Sequence, residues 1–202
     1  MPNLWDPLTY ENLMVGTVAH FEKQELAVLT THVALEGPGI YALYYKGGFA
    51  EYQPISDTAC PIYVGKAVPR GARKGGGEVD VRAPALRRRL REHAKSISSA
   101  DNLKLADFSF RALAIVPVWI VFAEQALIKQ YEPVWNACLE GFGKHDQGKH
   151  RAGTLRSWWD TLHPGRSWAQ IAFRGPEVGR SMAEASALVL AHFAERDKKS
   201  GG

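Results

Sequence analysis

The chain has 202 residues, 46% hydrophobic and 23% charged, with a formal net charge of +4 and a pI of about 9.1. These are ordinary globular proportions, long enough for one substantial core with terminal extensions. They exclude a membrane span, since no apolar run approaches the roughly 18 residues one needs. They also exclude a disulfide framework or CxxC metal site, because Cys60 and Cys138 are the only cysteines and read as small buried residues of a reduced compartment. The opening MPNLWDPLTY lacks an export pattern, so a cytoplasmic setting is expected. The basic balance is compatible with a polyanionic partner.

Asp6 is placed to cap a helix and Pro7 to sit in its first turn, which predicts a helix over about 7–26 with Gly16 as a possible interruption. GIYALYYKGG reads as a strand closed by a Gly-Gly turn, and PIYVGKAV as a second strand; 47–59 between them reads as a loop or excursion. A glycine-rich basic loop, PRGARKGGGEVDVRAPA, then runs into a helix starting near Ala83 with Pro84 in its first turn. From Lys66 to Lys95, ten lysines and arginines stand against three acids, so this segment alone is more positive than the whole chain.

DFSFRALAIV alternates like a third strand. WIVFAEQALIKQY predicts a helix over about 119–131, ended by Pro133. The region from Gly141 to Ala169 is a Gly- and His-rich loop region carrying Lys144, Lys149, Arg151, Arg156 and Arg166. An amphipathic helix, EVGRSMAEASALVLAHFAERD, and a disordered polar tail complete the chain, and no internal repeat is visible.

Several residues carry chemical content. Arg89 and His93 lie four apart on a predicted helix, hence on one face. A guanidinium can hold a phosphate with two donors and an imidazole can move a proton near neutral pH, although a solvated basic helix face would give the same spacing. Glu124 falls inside an apolar run, where a carboxylate must be paired, hydrogen-bonded or bound to a cation; a lysine partner or magnesium satisfies it equally. Tyr41 and Tyr63 stand on two neighbouring strands, each close to a glycine, and either alone reads as a strand residue packed in the core.

Taken together, these residues resemble the GIY-YIG nuclease superfamily. Gly39-Ile40-Tyr41 gives the first half of its motif and Tyr63-Val64-Gly65 the second, with Val in place of Ile. Arg89 with His93, Glu124 and Asn136 follow in the family's order. The resemblance spans about 36–137 and implies an α/β (α+β) fold, a small antiparallel three-stranded sheet flanked by helices. It frames one domain, 1–202, with an N-terminal helical extension at 1–35, a catalytic core at 36–140 containing a basic insertion at 67–84, and a C-terminal extension at 141–202. It implies that Tyr41 is the general base on the attacking water and that Tyr63 orients the water or phosphate. Arg89 would stabilise the developing charge, Glu124 would hold one divalent metal, Mg2+ or Mn2+, and Asn136 would brace the site. A phenol titrating near 10 is a poor base at neutral pH, so His93 or Lys66 must help remove its proton.

Two departures accompany the resemblance. The tyrosines stand 22 positions apart, longer than usual in the superfamily, and the basic insertion separates the second motif from the arginine helix. With the N-terminal helix and WWDTLHPGR, these features look most like the bacterial restriction-endonuclease branch, whose close members cut CCGCGG. That implies double-stranded DNA as substrate, a homodimer matched to a palindrome and a companion methyltransferase. Arg70, Arg73, Lys74 and Arg82 become candidates to read guanines or hold phosphates, and Lys144, Lys149 and Arg151 further candidate DNA contacts. The competing readings are a repair or homing nuclease, a DNA-binding module that has lost cleavage, and a base-stacking platform built on Trp158 and Trp159.

Overall fold

The computed structural model describes residues 8–69, 83–143, 156–172 and 180–200. Candidate DNA contacts Arg70, Arg73, Lys74, Arg82, Lys144, Lys149 and Arg151 lie outside the described residues.

In chain order the elements are α1 (Tyr10–Glu22), β1 (Ala27–Val28), β2 (Gly39–Tyr45), β3 (Tyr63–Ala67), α2 (Ala85–Ser98), β4 (Phe108–Ala114), α3 (Ile120–Tyr131), α4 (Val134–Ala137), α5 (Trp158–Leu162), α6 (Ser167–Ala172) and α7 (Met182–Ser200). The sheet is antiparallel and four-stranded, in the order β1-β4-β2-β3, where three strands were expected. The extra strand is the two-residue β1, too short to leave a periodic signal in the sequence.

Every residue of β2 is buried, which explains why GIYALYY shows no polar alternation: helices cover both faces. Ile40, Ala42 and Tyr44 pack with Val64 against Ile120, Ala123, Ala126 and Leu127 of α3 and against Phe21 of α1. Tyr41, Leu43 and Tyr45 face the other way, into a larger core with Leu86, Leu90, Ala94 and Ile97 of α2, Trp135, Trp159 and Phe193. Each fully buried Leu or Ile contributes about 1.5–3 kcal/mol, so α2 is fixed mainly by this stripe. The approach of β4 to β2 is close at Gly39, where a Cβ would stand 2.1 Å from the Leu113 carbonyl oxygen.

Other expectations are adjusted. Helix α1 starts at Tyr10, not Pro7, because the Thr9 hydroxyl accepts from Asn12 N–H and caps it there; Asp6 and Pro7 lie outside the described residues. Gly16 leaves α1 unbroken. The excursion at 47–59 is a packed element whose 3-10 turn, Ala50–Ile55, buries Tyr52 and Ile55. Helix α3 ends as the composition predicts, at a left-handed Glu132 before Pro133. Helix α7 continues through Lys198 and Lys199, expected as disordered tail, with Lys199 donating to the Glu132 carboxylate at 3.1 Å. Both cysteines are half-buried, not fully so. Among the described residues, no helix is long and apolar enough to cross a membrane.

A polar network runs through the larger core. Trp135 Nε1–H donates to Tyr52 Oη at 2.8 Å, so the Tyr52 hydroxyl proton is directed to His163 Nε2 at 2.5 Å. That leaves His163 Nδ1–H to donate to Asn102 Oδ1 at 2.9 Å, while Asn102 Nδ2 donates to the Leu162 carbonyl at 2.8 Å. Every member is satisfied only with a neutral imidazole. Burial, assisted by the Arg166 charge, lowers His163 to about 3.

The unfolded chain therefore takes up a proton between about pH 6.5 and 3 that the folded chain refuses. This stability is complete above the ordinary histidine range and is lost as pH falls, by up to about 1.4 kcal/mol per pH unit. Urea midpoints at about pH 7 and about pH 5 should fall more steeply for the natural chain than for His163→Gln. Parallel slopes would remove His163 from the acid sensitivity.

Candidate active site

The register of the sheet brings the two phenols together. Tyr41 pairs with Gly65 and Leu43 with Tyr63, so Tyr41 and Tyr63 are diagonal neighbours on one face, with ring centroids 6.3 Å apart. The Tyr41 ring lies across Gly65: a Cβ there would meet Tyr41 Oη at 2.5 Å and Tyr63 Cε1 at 2.9 Å. The glycine after the second tyrosine thus makes room for the first phenol.

Helix α2 lays Arg89 and His93 over this face. His93 is fully buried, and its Nε2 stands 2.6 Å from Tyr41 Oη. Arg89 is 18% exposed and donates to Glu92 Oε2 at 2.9 Å. Burial pushes the Tyr41 phenol well above its ordinary range and Tyr63 pushes the same way, while Arg89 opposes by charge and by a hydrogen bond; Glu124 adds to the rise. Tyr63 is raised for the same leading reason, burial, again against Arg89. Arg89 is therefore the cation that favours negative charge on either phenol, and His93 is the imidazole in hydrogen-bond contact with Tyr41.

Lys66 takes a different place from the one considered for it. Strand alternation puts Tyr63 and Gly65 on one face of β3 and Lys66 on the other, where its ammonium pairs with Glu124 of α3. Of the two candidates for taking the Tyr41 proton, the structure puts His93 against the phenol and Lys66 against the carboxylate. Glu124 is 15% exposed and lies close enough to raise both phenols. Among the described residues, no three His, Cys, Asp or Glu side chains gather as a metal cage. Glu124, paired with Lys66, is still one partly exposed carboxylate within electrostatic reach of the phenols, and such a group suits a divalent ion that keeps waters and takes substrate phosphate oxygens as ligands.

Asn136 sits on α4 and braces the open edge of β3. Its Oδ1 accepts from Val64 N–H at 2.8 Å and its Nδ2 donates to the Val64 carbonyl at 2.9 Å, replacing the strand that the edge lacks. Glu124, Asn136, Lys66 and the pair Arg89 and His93 are thus gathered around the two tyrosine strands.

Sequence reasoning missed the segment that closes this site. Phe142 is buried and stacks on His93, with centroids 4.5 Å apart and planes at 18°; its edge meets Tyr63 at 4.9 Å. Arg166, read from sequence as a loop cation, is 3% exposed. Its Nε donates to Asp160 Oδ1 at 2.6 Å, and its Nη1 and Nη2 donate to the carbonyls of Phe142 and Gly141 at 3.2 and 3.1 Å. Trp159 is fully buried beneath that guanidinium, which excludes it from a base-stacking platform. The signal available in the sequence was the pairing of Asp160 with Arg166 in the Trp-rich stretch WWDTLHPGR.

The family model for the Eco29kI GIY-YIG domain matches residues 34–190, which include both tyrosine motifs, Arg89, His93, Glu124 and Asn136 as well as the closing segment. No curated protein matches the chain. The paired phenols on adjacent strands, the arginine helix above them and a match over most of the sequence lead to one assignment: the chain belongs to the Eco29kI family of GIY-YIG domains, the restriction-endonuclease branch of nucleases that hydrolyse DNA.

Proposed function

We propose that this protein is a type II restriction endonuclease that cuts double-stranded DNA at a palindromic G·C-rich site, CCGCGG, as a homodimer with Mg2+ or Mn2+. The observation that carries the chemistry is the 2.6 Å contact between Tyr41 Oη and His93 Nε2 inside the phenol pair. The Tyr41 phenol passes its proton to His93 Nε2, and the phenolate so formed takes the proton of the attacking water. Tyr63 orients that water or the scissile phosphate, and Arg89 offsets the charge that grows on the phosphoryl oxygens. Glu124 would hold the metal, and a divalent ion there supplies Lewis-acid stabilisation of the leaving 3′ oxygen.

One such centre per chain cuts one strand, so two-fold cutting of a palindrome calls for a two-fold dimer. Lysines and arginines outside the described residues, Arg70, Arg73, Lys74, Arg82, Lys144, Lys149 and Arg151, are assigned to guanine edges and phosphates. The setting is the bacterial cytoplasm, with a methyltransferase protecting the host's own sites.

Incubation with a plasmid carrying one CCGCGG site should give a single double-strand cut within that site, present with magnesium and absent with EDTA. Cuts mapping elsewhere would keep the nuclease and remove the specificity. Tyr41→Phe and Glu124→Ala should each bind the duplex and lose cleavage by about 100-fold or more. Near-normal turnover by Tyr41→Phe would remove the phenol from proton transfer, while an unsubstituted protein that binds the plasmid tightly and leaves it intact would be a DNA-binding module.

A further inference from the structure

The buried pair Asp160 and Arg166 lies away from the phenols, yet its hydrogen bonds lead to them. Asp160 is 4% exposed, and its two oxygens are both engaged: Oδ1 accepts from Arg166 Nε, and Oδ2 accepts from Ser157 Oγ at 2.6 Å. Ser157 also caps α5 by accepting from Asp160 N–H at 3.1 Å, which anchors the carboxylate to a helix start. Arg166 is held flat by the rings of Trp159 and Trp168, its guanidinium carbon 4.4 and 4.7 Å from their centroids. Its remaining donors reach the carbonyls of Gly141 and Phe142.

A fully buried ion pair is costly and contributes little to stability by itself, since hydrophobic residues of the same volume often do as well. What a planar five-donor fork adds is direction: it fixes two successive carbonyls relative to α5. Those carbonyls belong to the short segment whose Phe142 ring lies flat on His93. The same ring touches Tyr63 by its edge and rests on Trp135 at 4.4 Å and Trp159 at 5.2 Å. The next residue, Gly143, passes so near Tyr63 that a Cβ on it would stand 2.7 Å from the hydroxyl.

We propose that Asp160, Arg166 and Phe142 form a clamp that positions the proton-transfer pair, with Arg166 seating the Phe142 ring on His93 and so holding His93 Nε2 against Tyr41. These are positioning residues that touch neither substrate nor metal. The proposal rests on the reading that His93 takes the Tyr41 proton. A misplacement of about 1 Å in such a pair can cost about 100-fold in rate.

The experiment combines cleavage with the ring-proton resonances of His93 in histidine-labelled, full-length protein. A ring stacked face to face shifts those protons upfield, a signature that overall stability does not imitate. Phe142→Leu keeps the core filled and the Arg166 fork intact, and Arg166→Lys keeps a cation beside Asp160 but cannot span both carbonyls. Phe142→Leu should lose the upfield shift and slow single-turnover cleavage about 100-fold at unchanged DNA affinity. Arg166→Lys should show both effects, in reduced degree, while remaining folded. Wild-type cleavage by Phe142→Leu, or an unmoved His93 signal in Arg166→Lys, would overturn the clamp while leaving the nuclease reading in place. An unsubstituted protein that cuts no DNA would sink that reading and the proposal with it.

Discussion

The hydrogen bond between Tyr41 Oη and His93 Nε2 ties the central strand of the sheet to the helix that lies over it, and most of the neighbouring structure serves to make that contact possible. A phenol can reach the imidazole only if nothing stands between β2 and α2 at that point, hence the missing Cβ at Gly65. The imidazole can lie there only if α2 is seated by Leu86, Leu90, Ala94 and Ile97, which fall on the same face as His93. The phenol and the imidazole are 52 positions apart in sequence, and the packing of α2 on the sheet joins them.

Burial makes the pair chemically informative. Removing Tyr41 from water raises the cost of its phenolate, and Arg89 works in the opposite direction. The second network, around His163 and Tyr52, repeats the phenol–imidazole contact in a place where it is fully satisfied and far below any useful histidine range. There the geometry stabilises a core; at Tyr41 it stands in the field of a cation, a second phenol and a carboxylate. The same pair of side chains thus occurs twice, and the surrounding charges separate the two settings.

Much of this was legible in the sequence because it follows from short-range periodicity. The two strands, the i, i+4 relation of Arg89 and His93, and the end of α3 before Pro133 all rest on spacings of two or about four residues. The choice between Lys66 and His93 was also available there, since alternation from Tyr63 places Lys66 on the far face of β3. Other features carry no local signal. Strand β1 is two residues long, and Asn136 reveals its bracing role only when the open edge of β3 is known. Arg166 reads as one more basic residue until the Gly141 and Phe142 carbonyls, more than twenty positions away, are brought to it. Long-range contacts of this kind are set by tertiary packing, where composition gives no guidance.

In the proposed reaction His93 accepts the Tyr41 proton during hydrolysis. The most direct measurement is the single-turnover cleavage rate of His93→Gln on a CCGCGG duplex with saturating protein and magnesium, with DNA affinity measured separately. The expected outcome is unchanged affinity and a rate reduced by about 100- to 10,000-fold, the range expected when a positioned proton acceptor is lost. Cleavage at the rate of the unsubstituted protein would contradict it.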